Sequence, residues 1–451
     1  MIFETVNPYT DQVIAKYPTL SEMALSDKLE KSKSSFKIWK EIPYGKKASL
    51  FHKVGNLLRE NKEIYAQKIT EEMGKVIKEA RGEVEKCAWV CDYYAENAES
   101  FLQDEIIKSG ARKSFVCYEP IGAILAVMPW NFPYWQVFRF TAPYLMAGNT
   151  ALLKHAPNVS GCALDIESIF KEAGFPDGVF QSLIINVNLV EKVIKSEIVQ
   201  GITLTGSEKA GASVAAIAGK NIKKTVLELG GSDPFIVLED ADLERAAAVA
   251  VQSRMLNAGQ SCIAAKRFLV VQSVKEAFAE KVHQQIAALK MGDPLSEETT
   301  TGPMARTDLA EQLNNQVKAT IKAGAGLVTG GKQEKAHFEP ALLIDVKPGM
   351  PGFDEETFGP AACIVPVKDE REAITYANNT IYGLGASVWT KDLEKGVRIG
   401  RKINAGGVFI NSMVKSDPRL PFGGIKKSGY GRELSHHGIK EFTNVKTIYV
   451  D

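Results

Sequence analysis

The sequence predicts an α/β fold with two lobes, and three observations lead to this prediction. Short apolar runs bounded by Gly or Pro alternate with helical segments from residue 115 onward, which is typical of a mostly parallel sheet covered on both faces. The alternation occurs as two successive sets, and 451 residues are enough for two or three domains with a core each. Two such lobes leave a cleft between them, where ligand sites tend to lie.

The first hundred residues are expected to be helical, because apolar residues recur there on one helical face. This stripe consists of Val54, Leu57, Leu58, Ile64, Ile69, Met73, Val76 and Ile77. In the first lobe we predict strands at 123–128, 150–154, 179–185, 201–205 and 225–229, with helices at 160–173 and from residue 207. In the second lobe we predict strands at 235–238 and 268–272, with helices at 243–257, 274–289 and 309–323.

Composition excludes several classes of protein. The chain has 55 Lys and Arg against 54 Asp and Glu, so it lacks the basic excess of nucleic-acid binders. No run of about 18 apolar residues occurs, and the first ten residues include Glu4, so we expect neither a membrane span nor a signal peptide. The six cysteines are scattered and no His pair stands at ligand spacing, which predicts a cytoplasmic protein with reduced thiols and no metal site.

Cys262 is the candidate nucleophile. It follows the helix breaker Gly259 in the segment Asn257-Ala-Gly-Gln-Ser-Cys, at the edge of a new apolar run. A turn at the end of an element can give a thiol the accessibility and the lowered pKa that a nucleophile requires. An unselected cysteine is more often a small buried hydrophobe, and the residues alone leave both interpretations open.

A carboxylate, an amide and a turn are three further candidates. Glu228 stands between two leucines at the end of an apolar strand, so it should be paired, hydrogen-bonded or working as a base. Asn131 lies among aromatic residues and prolines, so its NH2 group can donate to a developing oxyanion, although turn-forming Asn is commoner. Gly206 and Ser207 leave a strand and open a helix, whose N-terminus suits a phosphate; a Ser N-cap explains the pattern equally well. The G-x-G-x-x-G fingerprint is absent.

Together these residues suit chemistry on a carbonyl beside a nucleotide cofactor, and the chain resembles the aldehyde dehydrogenase superfamily along essentially its whole length. The motifs that carry the resemblance stand in the family's order, at 129–133, 204–207, 227–231, 257–262, 355–360 and 421–429. The resemblance is greatest to the short bacterial succinate-semialdehyde dehydrogenases, through the segments 154–157, 230–234 and 415–419.

The resemblance implies a role for each candidate. Cys262 would be the nucleophile, Asn131 and the Cys262 backbone N–H would hold the oxyanion, and Glu228 would activate the water that hydrolyses a thioester. The residues implied at the cofactor are Trp130, Lys154, Pro157, Gly206, Ser207, Leu229, Glu356 and Phe358. Some relatives carry a second cysteine two residues after the nucleophile as a redox switch; Ala264 stands there, so we expect no internal disulfide.

The resemblance also implies an aldehyde dehydrogenase-like domain organisation. A modified Rossmann NAD(P)-binding domain would comprise 1–102 and 120–230, and a catalytic domain would comprise 231–440. A small β oligomerisation element would comprise 103–119 and 441–451, and a homodimer or homotetramer is expected from its open edge.

Pro157 bears on the choice of cofactor. NAD-preferring relatives commonly have a Glu here, which binds the ribose 2′-hydroxyl and would repel a 2′-phosphate. Because Pro157 removes both effects, we expect NADP+ to be accepted besides NAD+, or even to be preferred. The alternative is that Pro157 only ends a strand.

The substrate is predicted from fewer residues. Arg139, on a predicted helix among aromatic residues, corresponds to a carboxylate-binding Arg of succinate-semialdehyde dehydrogenases, and Ser261 and Ser416 are weaker polar candidates. Oxidation of the small molecule succinate semialdehyde is therefore the expected activity; Arg139 as a structural residue stays open. The alternatives are glutarate semialdehyde or other small aldehydes, and, more remotely, a thiol hydrolase, for which no His lies in these motifs.

Overall fold

The N-terminal hundred residues form a β-hairpin followed by four helices in the computed structural model, which describes all 451 residues. The elements are β1 (Ile2–Asn7), β2 (Gln12–Pro18), α1 (Glu22–Trp39), α2 (Tyr44–Glu60), α3 (Lys62–Met73) and α4 (Ile77–Phe101). The expectation of helices throughout this region is wrong for the hairpin. Most side chains of β2 are exposed. In β1 the apolar Ile2 and Val6 are exposed and the polar Thr5 is buried, so no apolar stripe marks the hairpin. Their turn is stabilised locally, because Asn7 Oδ1 accepts the N–H groups of Tyr9 and Thr10.

The first α/β unit lies between residues 105 and 228. Its elements are β3 (Glu105–Ile106), β4 (Lys113–Pro120), β5 (Ala123–Met128), α5 (Trp135–Met146), β6 (Thr150–His155), α6 (Ser160–Glu172), β7 (Phe180–Ser182), α7 (Val190–Lys195), β8 (Val199–Thr205), α8 (Glu208–Lys220) and β9 (Lys224–Glu228). Five of these strands run parallel in the order β9-β8-β5-β6-β7. The carboxyl ends of β5, β6, β8 and β9, and the segments that follow them, therefore carry the candidate residues from Trp130 to Leu229 at one edge of the sheet.

The second α/β unit lies between residues 233 and 410. Its elements are β10 (Asp233–Val237), α9 (Leu243–Met255), β11 (Ala265–Val271), α10 (Lys275–Ala287), α11 (Thr307–Lys322), β12 (Gly326–Thr329), β13 (Gln333–Glu334), β14 (His337–Phe338), β15 (Ala341–Ile344), α12 (Pro351–Asp354), β16 (Ala361–Val367), α13 (Glu370–Asn378), β17 (Gly385–Trp389), α14 (Leu393–Gly400) and β18 (Gly407–Ile410). The sheet order is β12-β15-β16-β11-β10-β17-β18, and only β12 is antiparallel to its neighbour.

The C-terminal segment returns to the first α/β unit. Its elements are β19 (Gly429–Tyr430), α15 (Ser435–Gly438) and β20 (Thr443–Val450). Strand β19 adds to the first sheet antiparallel to β9, with Gly429 opposite Glu228. Strand β20 pairs with β4 over its whole length, and β3 completes this three-stranded antiparallel sheet. The C-terminal segment thus packs against the strand that carries Glu228.

Alternating residues of each central strand pack into cores on opposite faces. In the first sheet Leu125 and Leu152 join one apolar cluster, whereas Ile124 and Leu153 join another. The second sheet divides in the same way between two clusters. This burial on both faces explains the continuous apolar runs, and the predicted α/β fold with two mostly parallel sheets is confirmed. No helix combines the length and the apolar character needed to cross a bilayer.

Candidate active site

Two cavities meet at Cys262. The larger cavity, of about 480 Å³, is lined by seven of the predicted residues besides Cys262, namely Trp130, Asn131, Gly206, Ser207, Leu229, Glu356 and Phe358. The smaller cavity, of about 280 Å³, is lined by the predicted residues Arg139, Ser261 and Ser416. Cys262 and Gln136 are common to both linings. The thiol therefore stands where two separate binding spaces join.

The loop before Cys262 has an unusual backbone. Helix α9 ends at Met255, and Asn257, Ala258 and Gly259 have φ values of 55°, 50° and 72°. Non-glycine residues in this left-handed region are strained and persist only where the surroundings hold them. Asn257 is held at both ends: its backbone N–H donates to Glu79 Oε2 at 2.8 Å, and its Nδ2 donates to the Asn131 carbonyl at 2.7 Å.

Arg254 connects this loop to the segment that precedes β16. Its wholly buried guanidinium donates to the carbonyls of Gly259, Thr357, Gly359 and Ala361. The loop of the thiol and the motif that contains Glu356 are thereby joined through one side chain. Arg254 does not line either cavity. Its role could not be predicted, because an arginine close to a cysteine in sequence does not indicate which carbonyls it will bind.

Asn131 is fixed by hydrogen bonds on both sides of its amide. Its Nδ2 donates to the Gln260 carbonyl at 3.0 Å, and its Oδ1 accepts from Gln136 Nε2 at 3.1 Å. This arrangement orients the NH2 group toward the loop that carries Cys262 and leaves one of its two hydrogens for another acceptor. Gln136 was not among the predicted residues.

Gly230 and Gly231 allow the two sheets to approach each other closely. A Cβ atom on Gly230 would overlap the Glu356 carboxylate, and one on Gly231 would lie 2.6 Å from the Cys262 carbonyl oxygen. The glycines let Glu356 accept the Gly231 N–H at 3.0 Å. Lys266, which the sequence did not single out, donates to the Cys262 carbonyl at 2.8 Å and lies 3.3 Å from Glu356.

Glu228 is a buried carboxyl group with no hydrogen bond to either oxygen. Burial raises its pKa well above the ordinary value, and the negative charge of Glu433 adds to the effect. The nearby Arg139 forms its ion pair with Glu433 rather than with Glu228. The sequence left a salt bridge, a hydrogen bond and a role as a base open for Glu228. The structure shows neither a salt bridge nor a hydrogen bond to its carboxyl oxygens.

Cys262 is partly exposed and is a free thiol. Burial raises its pKa to about 12, against the lowering effect of the positive charges of Arg139 and Lys266, so the lowered pKa expected from the turn is not found in the ligand-free chain. The negative charges of Glu356 and Glu228 also raise the pKa of Cys262.

The turn between β8 and α8 lies at the larger cavity. Ser207 is the N-cap of α8 and accepts the Ala210 N–H at 3.3 Å, so the capping interpretation is correct. The same turn lines the cavity, and the first N–H groups of α8 have no partner within the helix. Trp130 and Phe358 meet edge to face there, with ring centroids 5.9 Å apart.

Lys154 and Pro157 lie outside the lining of both cavities, at the carboxyl end of β6 and in the short helical turn that follows it. The Lys154 side chain is largely buried, and burial lowers its pKa. It has neither a hydrogen bond nor an ion pair within the chain.

Arg139 and the two serines lie at the smaller cavity in different environments. Arg139 pairs with the buried Glu433, and its Nη2 donates to Thr205 Oγ1 at 3.3 Å, so its charge is compensated within the chain. Ser261 is buried beside the thiol. Ser416 Oγ accepts from Trp135 Nε1 at 3.0 Å. The cavity also has a lysine in its lining, Lys86, which the sequence did not mark because it resembles the solvent-facing lysines of an amphipathic helix.

The family model described as the aldehyde dehydrogenase family matches residues 1–448. The chain belongs to this family. A probable succinate-semialdehyde dehydrogenase [NADP(+)] of Synechocystis is 49% identical over 100% of both chains. The succinate semialdehyde dehydrogenase [NAD(P)+] Sad of Escherichia coli is 45% identical over 99% of this chain and 97% of its own length.

Two solved structures have the same fold as this chain. A succinic semialdehyde dehydrogenase of Streptococcus pyogenes, solved in complex with NADP+, superposes with a TM-score of 0.97 at 39% identity over 99% of both chains. The structure of Gox0499 superposes with a TM-score of 0.98 at 39% identity over 100% of both chains. The predicted family and the predicted aldehyde dehydrogenase-like fold are thus confirmed.

Proposed function

We propose that this protein is a non-acylating dehydrogenase that oxidises succinate semialdehyde to succinate with NADP+ or NAD+. The observation that carries the proposal is the position of Cys262, between a large cavity that ends at a helix N-terminus and a smaller cavity with cationic groups in its wall. The names of the relatives in Synechocystis and Escherichia coli support the substrate.

The residues of the larger cavity fit a dinucleotide. Its volume, the free N–H groups at the start of α8 and the aromatic pair Trp130 and Phe358 suit a phosphate-linked ligand with flat rings. Glu356 is proposed to hold the ribose nearest the thiol and Leu229 to pack beside it. Lys154, which lacks an anionic partner, and Pro157, which supplies no carboxylate, suit the 2′-phosphate of NADP+.

The chemistry on the substrate would begin at Cys262. The Cys262 thiol first loses its proton to water. The thiolate then adds to the aldehyde carbon, and the resulting oxyanion accepts hydrogen bonds from the free Asn131 Nδ2 hydrogen and the Cys262 backbone N–H. Bound NADP+ supplies the hydride acceptor, and a thioester remains on the sulfur. Because Gln136 and Gln260 fix the Asn131 amide, the donor is oriented before the substrate arrives.

Glu228 would release the product. Its carboxylate takes a proton from water as the water oxygen attacks the thioester, which yields the acid and restores the thiol. Both carboxyl oxygens lack protein partners, and burial with the nearby Glu433 raises the pKa. A raised pKa strengthens a carboxylate as a base, which supports this role.

The smaller cavity is proposed to hold the carbon chain and carboxylate of the substrate. Arg139, Ser261 and Ser416 form part of its wall, and Phe132, Trp135 and Phe422 add apolar surface. A space of about 280 Å³ suits a four-carbon chain better than a bulky aldehyde.

Initial rates with a panel of aldehydes and both cofactors test the proposed function. We expect reduced nicotinamide to form, with kcat/KM highest for succinate semialdehyde, lower for glutarate semialdehyde and lowest for butanal, and with NADP+ accepted. A higher value for butanal than for succinate semialdehyde would refute the substrate. Ester or amide hydrolysis without cofactor reduction would favour the thiol hydrolase instead.

We also propose the domain limits given by the family resemblance and a homodimer or homotetramer. The lone edge of β20, with Val445, Tyr449 and Val450 exposed, supports a partner chain at that strand. Light scattering at several protein concentrations checks the assembly, and a monomer at all of them would contradict it.

A further inference from the structure

Lys86 is a cation of the smaller cavity that the proposed chemistry leaves unused. It lies on α4 and lines the same cavity as Cys262. Its Nζ donates to Ser416 Oγ at 2.9 Å and stands 4.0 Å from the centroid of the Trp135 ring. The aromatic face and the serine together hold the ammonium at the cavity wall.

Lys86 has no carboxylate partner. No Asp or Glu oxygen lies within ion-pair distance of its Nζ, although acidic residues are nearby. Glu83, one turn earlier on α4, pairs with Lys75 and accepts the backbone N–H groups of Tyr134 and Trp135. These acidic neighbours are occupied elsewhere, so two of the three Lys86 N–H groups remain without an acceptor.

Ser416 has a free donor at the same place. Its Oγ accepts from Lys86 Nζ and from Trp135 Nε1 at 3.0 Å, and the hydroxyl hydrogen has no acceptor in the chain. The residue is buried. An ammonium with two free hydrogens and a hydroxyl with one form a set of donors for an anion with two oxygens.

We propose that Lys86 and Ser416 bind the carboxylate of the semialdehyde substrate, with Lys86 as the residue that sets the preference for an acidic aldehyde. This inference rests on the proposed function and assigns the carboxylate to a residue outside the predicted set. Arg139 is a poorer candidate for the same task, because its guanidinium already faces Glu433. Arg139 then has a positioning role, because its ion pair fixes Glu433 near Glu228.

The test compares Lys86→Met with the wild type on succinate semialdehyde and on butanal, which has the same chain length without the carboxylate. Methionine keeps an aliphatic stem against Trp135 and removes the charge. We expect kcat/KM for succinate semialdehyde to fall about 10- to 100-fold, mainly through KM, and that for butanal to fall no more than about 3-fold. Lys86→Arg should recover part of the loss.

Two further variants sharpen the comparison. Lys78→Met removes the same charge from an exposed position on the same helix, outside the cavity, and should leave both substrates unchanged. Ser416→Ala should lower kcat/KM for succinate semialdehyde about 3- to 10-fold, because one neutral donor is lost. Lys415 is an exposed lysine that lines the same cavity, and Lys415→Met tests whether it binds the carboxylate instead of Lys86.

Equal losses on both substrates in Lys86→Met, or no loss on either, would overturn the proposal. A selective loss in Lys415→Met with none in Lys86→Met would place the carboxylate at Lys415 and also overturn it. A wild type that oxidises butanal as efficiently as succinate semialdehyde would refute the proposed substrate itself. A wild-type preference that survives Lys86→Met would refute only the role of Lys86.

Discussion

Replacement of Arg139 by methionine would remove one partner of a fully buried ion pair. Arg139 is 2% exposed and Glu433 is wholly buried, and no other basic group forms an ion pair with Glu433. The variant would leave two carboxyl groups, Glu228 and Glu433, close together in an apolar environment. We expect it to be less stable and less active on every aldehyde, rather than selectively impaired on acidic ones.

The size of the destabilisation follows from the cost of protonating Glu433. Without Arg139 this carboxyl group avoids a bare buried charge by taking up a proton. Protonating a group of ordinary pKa 4.5 at about pH 7 costs roughly 1.36 × 2.5, or about 3.4 kcal/mol. At about pH 5 the same step costs roughly 0.7 kcal/mol. Burial already raises the pKa of Glu433 beside Arg139, so part of this cost is present in the wild type. The additional destabilisation should therefore be at most about 3 kcal/mol at neutral pH and below about 1 kcal/mol in weak acid.

Urea unfolding followed by tryptophan fluorescence at both pH values measures this difference. A carboxyl group whose pKa is raised in the folded state destabilises that state more as the pH rises. The destabilisation should therefore increase between about pH 5 and pH 7. The variant Arg139→Met with Glu433→Leu removes both charges and should recover most of the lost stability. Lys31→Met, which breaks the exposed pair with Asp177 at 2.7 Å, is the control and should cost less than about 1 kcal/mol.

Two results would refute this reasoning. One is an unchanged urea midpoint in Arg139→Met at neutral pH. The other is a KM for succinate semialdehyde that rises far more than the KM for butanal, since Arg139 would then be the carboxylate-binding group that the family resemblance implies.

Three further predictions concern the cofactor site and pH. Gly230→Ala places a Cβ atom against the Glu356 carboxylate and should raise KM for NADP+ at least about tenfold with an unchanged circular dichroism spectrum. Pro157→Glu should shift the kcat/KM ratio toward NAD+ by about tenfold or more, as measured with both cofactors. Burial and the charge of Arg139 lower the pKa of Lys86 to about 8, so Lys86 loses its proton above that pH. The preference for succinate semialdehyde over butanal should then fall about tenfold per pH unit, as initial rates will show.

The parallel strands were predictable from the sequence, because burial on both faces makes them continuous apolar runs that end at Gly or polar residues. The predicted strand 123–128 agrees with β5 at both ends. The N-terminal hairpin was not predictable in this way. One face of this ribbon is exposed, but it carries the apolar Ile2 and Val6, whereas the polar Thr5 is buried on the other face. Polarity therefore does not follow burial in the hairpin, and the short turn after Asn7 is its main local signal.

The same difference between local and distant information separates the site residues that could be predicted from those that could not. Cys262, Asn131 and Glu228 stand in short motifs whose residue types already suggest chemistry. Arg254 and Lys86 could not be found, because their roles depend on partners distant in sequence, the carbonyls before β16 for one and Ser416 for the other. A side chain's partner is a property of the folded chain, so a motif can mark a reacting group but not the group that holds it.

The buried cations of the chain differ in whether the chain itself neutralises them. Five donate to carboxylates or to backbone carbonyls, namely Lys75, Arg139, Arg254, Lys266 and Arg267. Lys47 lies over the rings of Trp39 and Tyr44. Lys154 has none of these partners, and the burial that lowers its pKa makes an unpaired charge costly unless a ligand supplies the anion.

Lys154→Met should accordingly raise the thermal midpoint of the ligand-free protein, by an amount equivalent to about 0.5–2 kcal/mol, while lowering the midpoint gain on adding NADP+. Lys75→Met, which strands the Glu83 carboxylate, should lower the ligand-free midpoint instead. A higher midpoint for Lys154→Met together with a lower midpoint for Lys75→Met would indicate that Lys154 serves to bind a ligand anion. A lower midpoint for both variants would show that Lys154 stabilises the fold itself, and the assignment of the cofactor phosphate to it would fail.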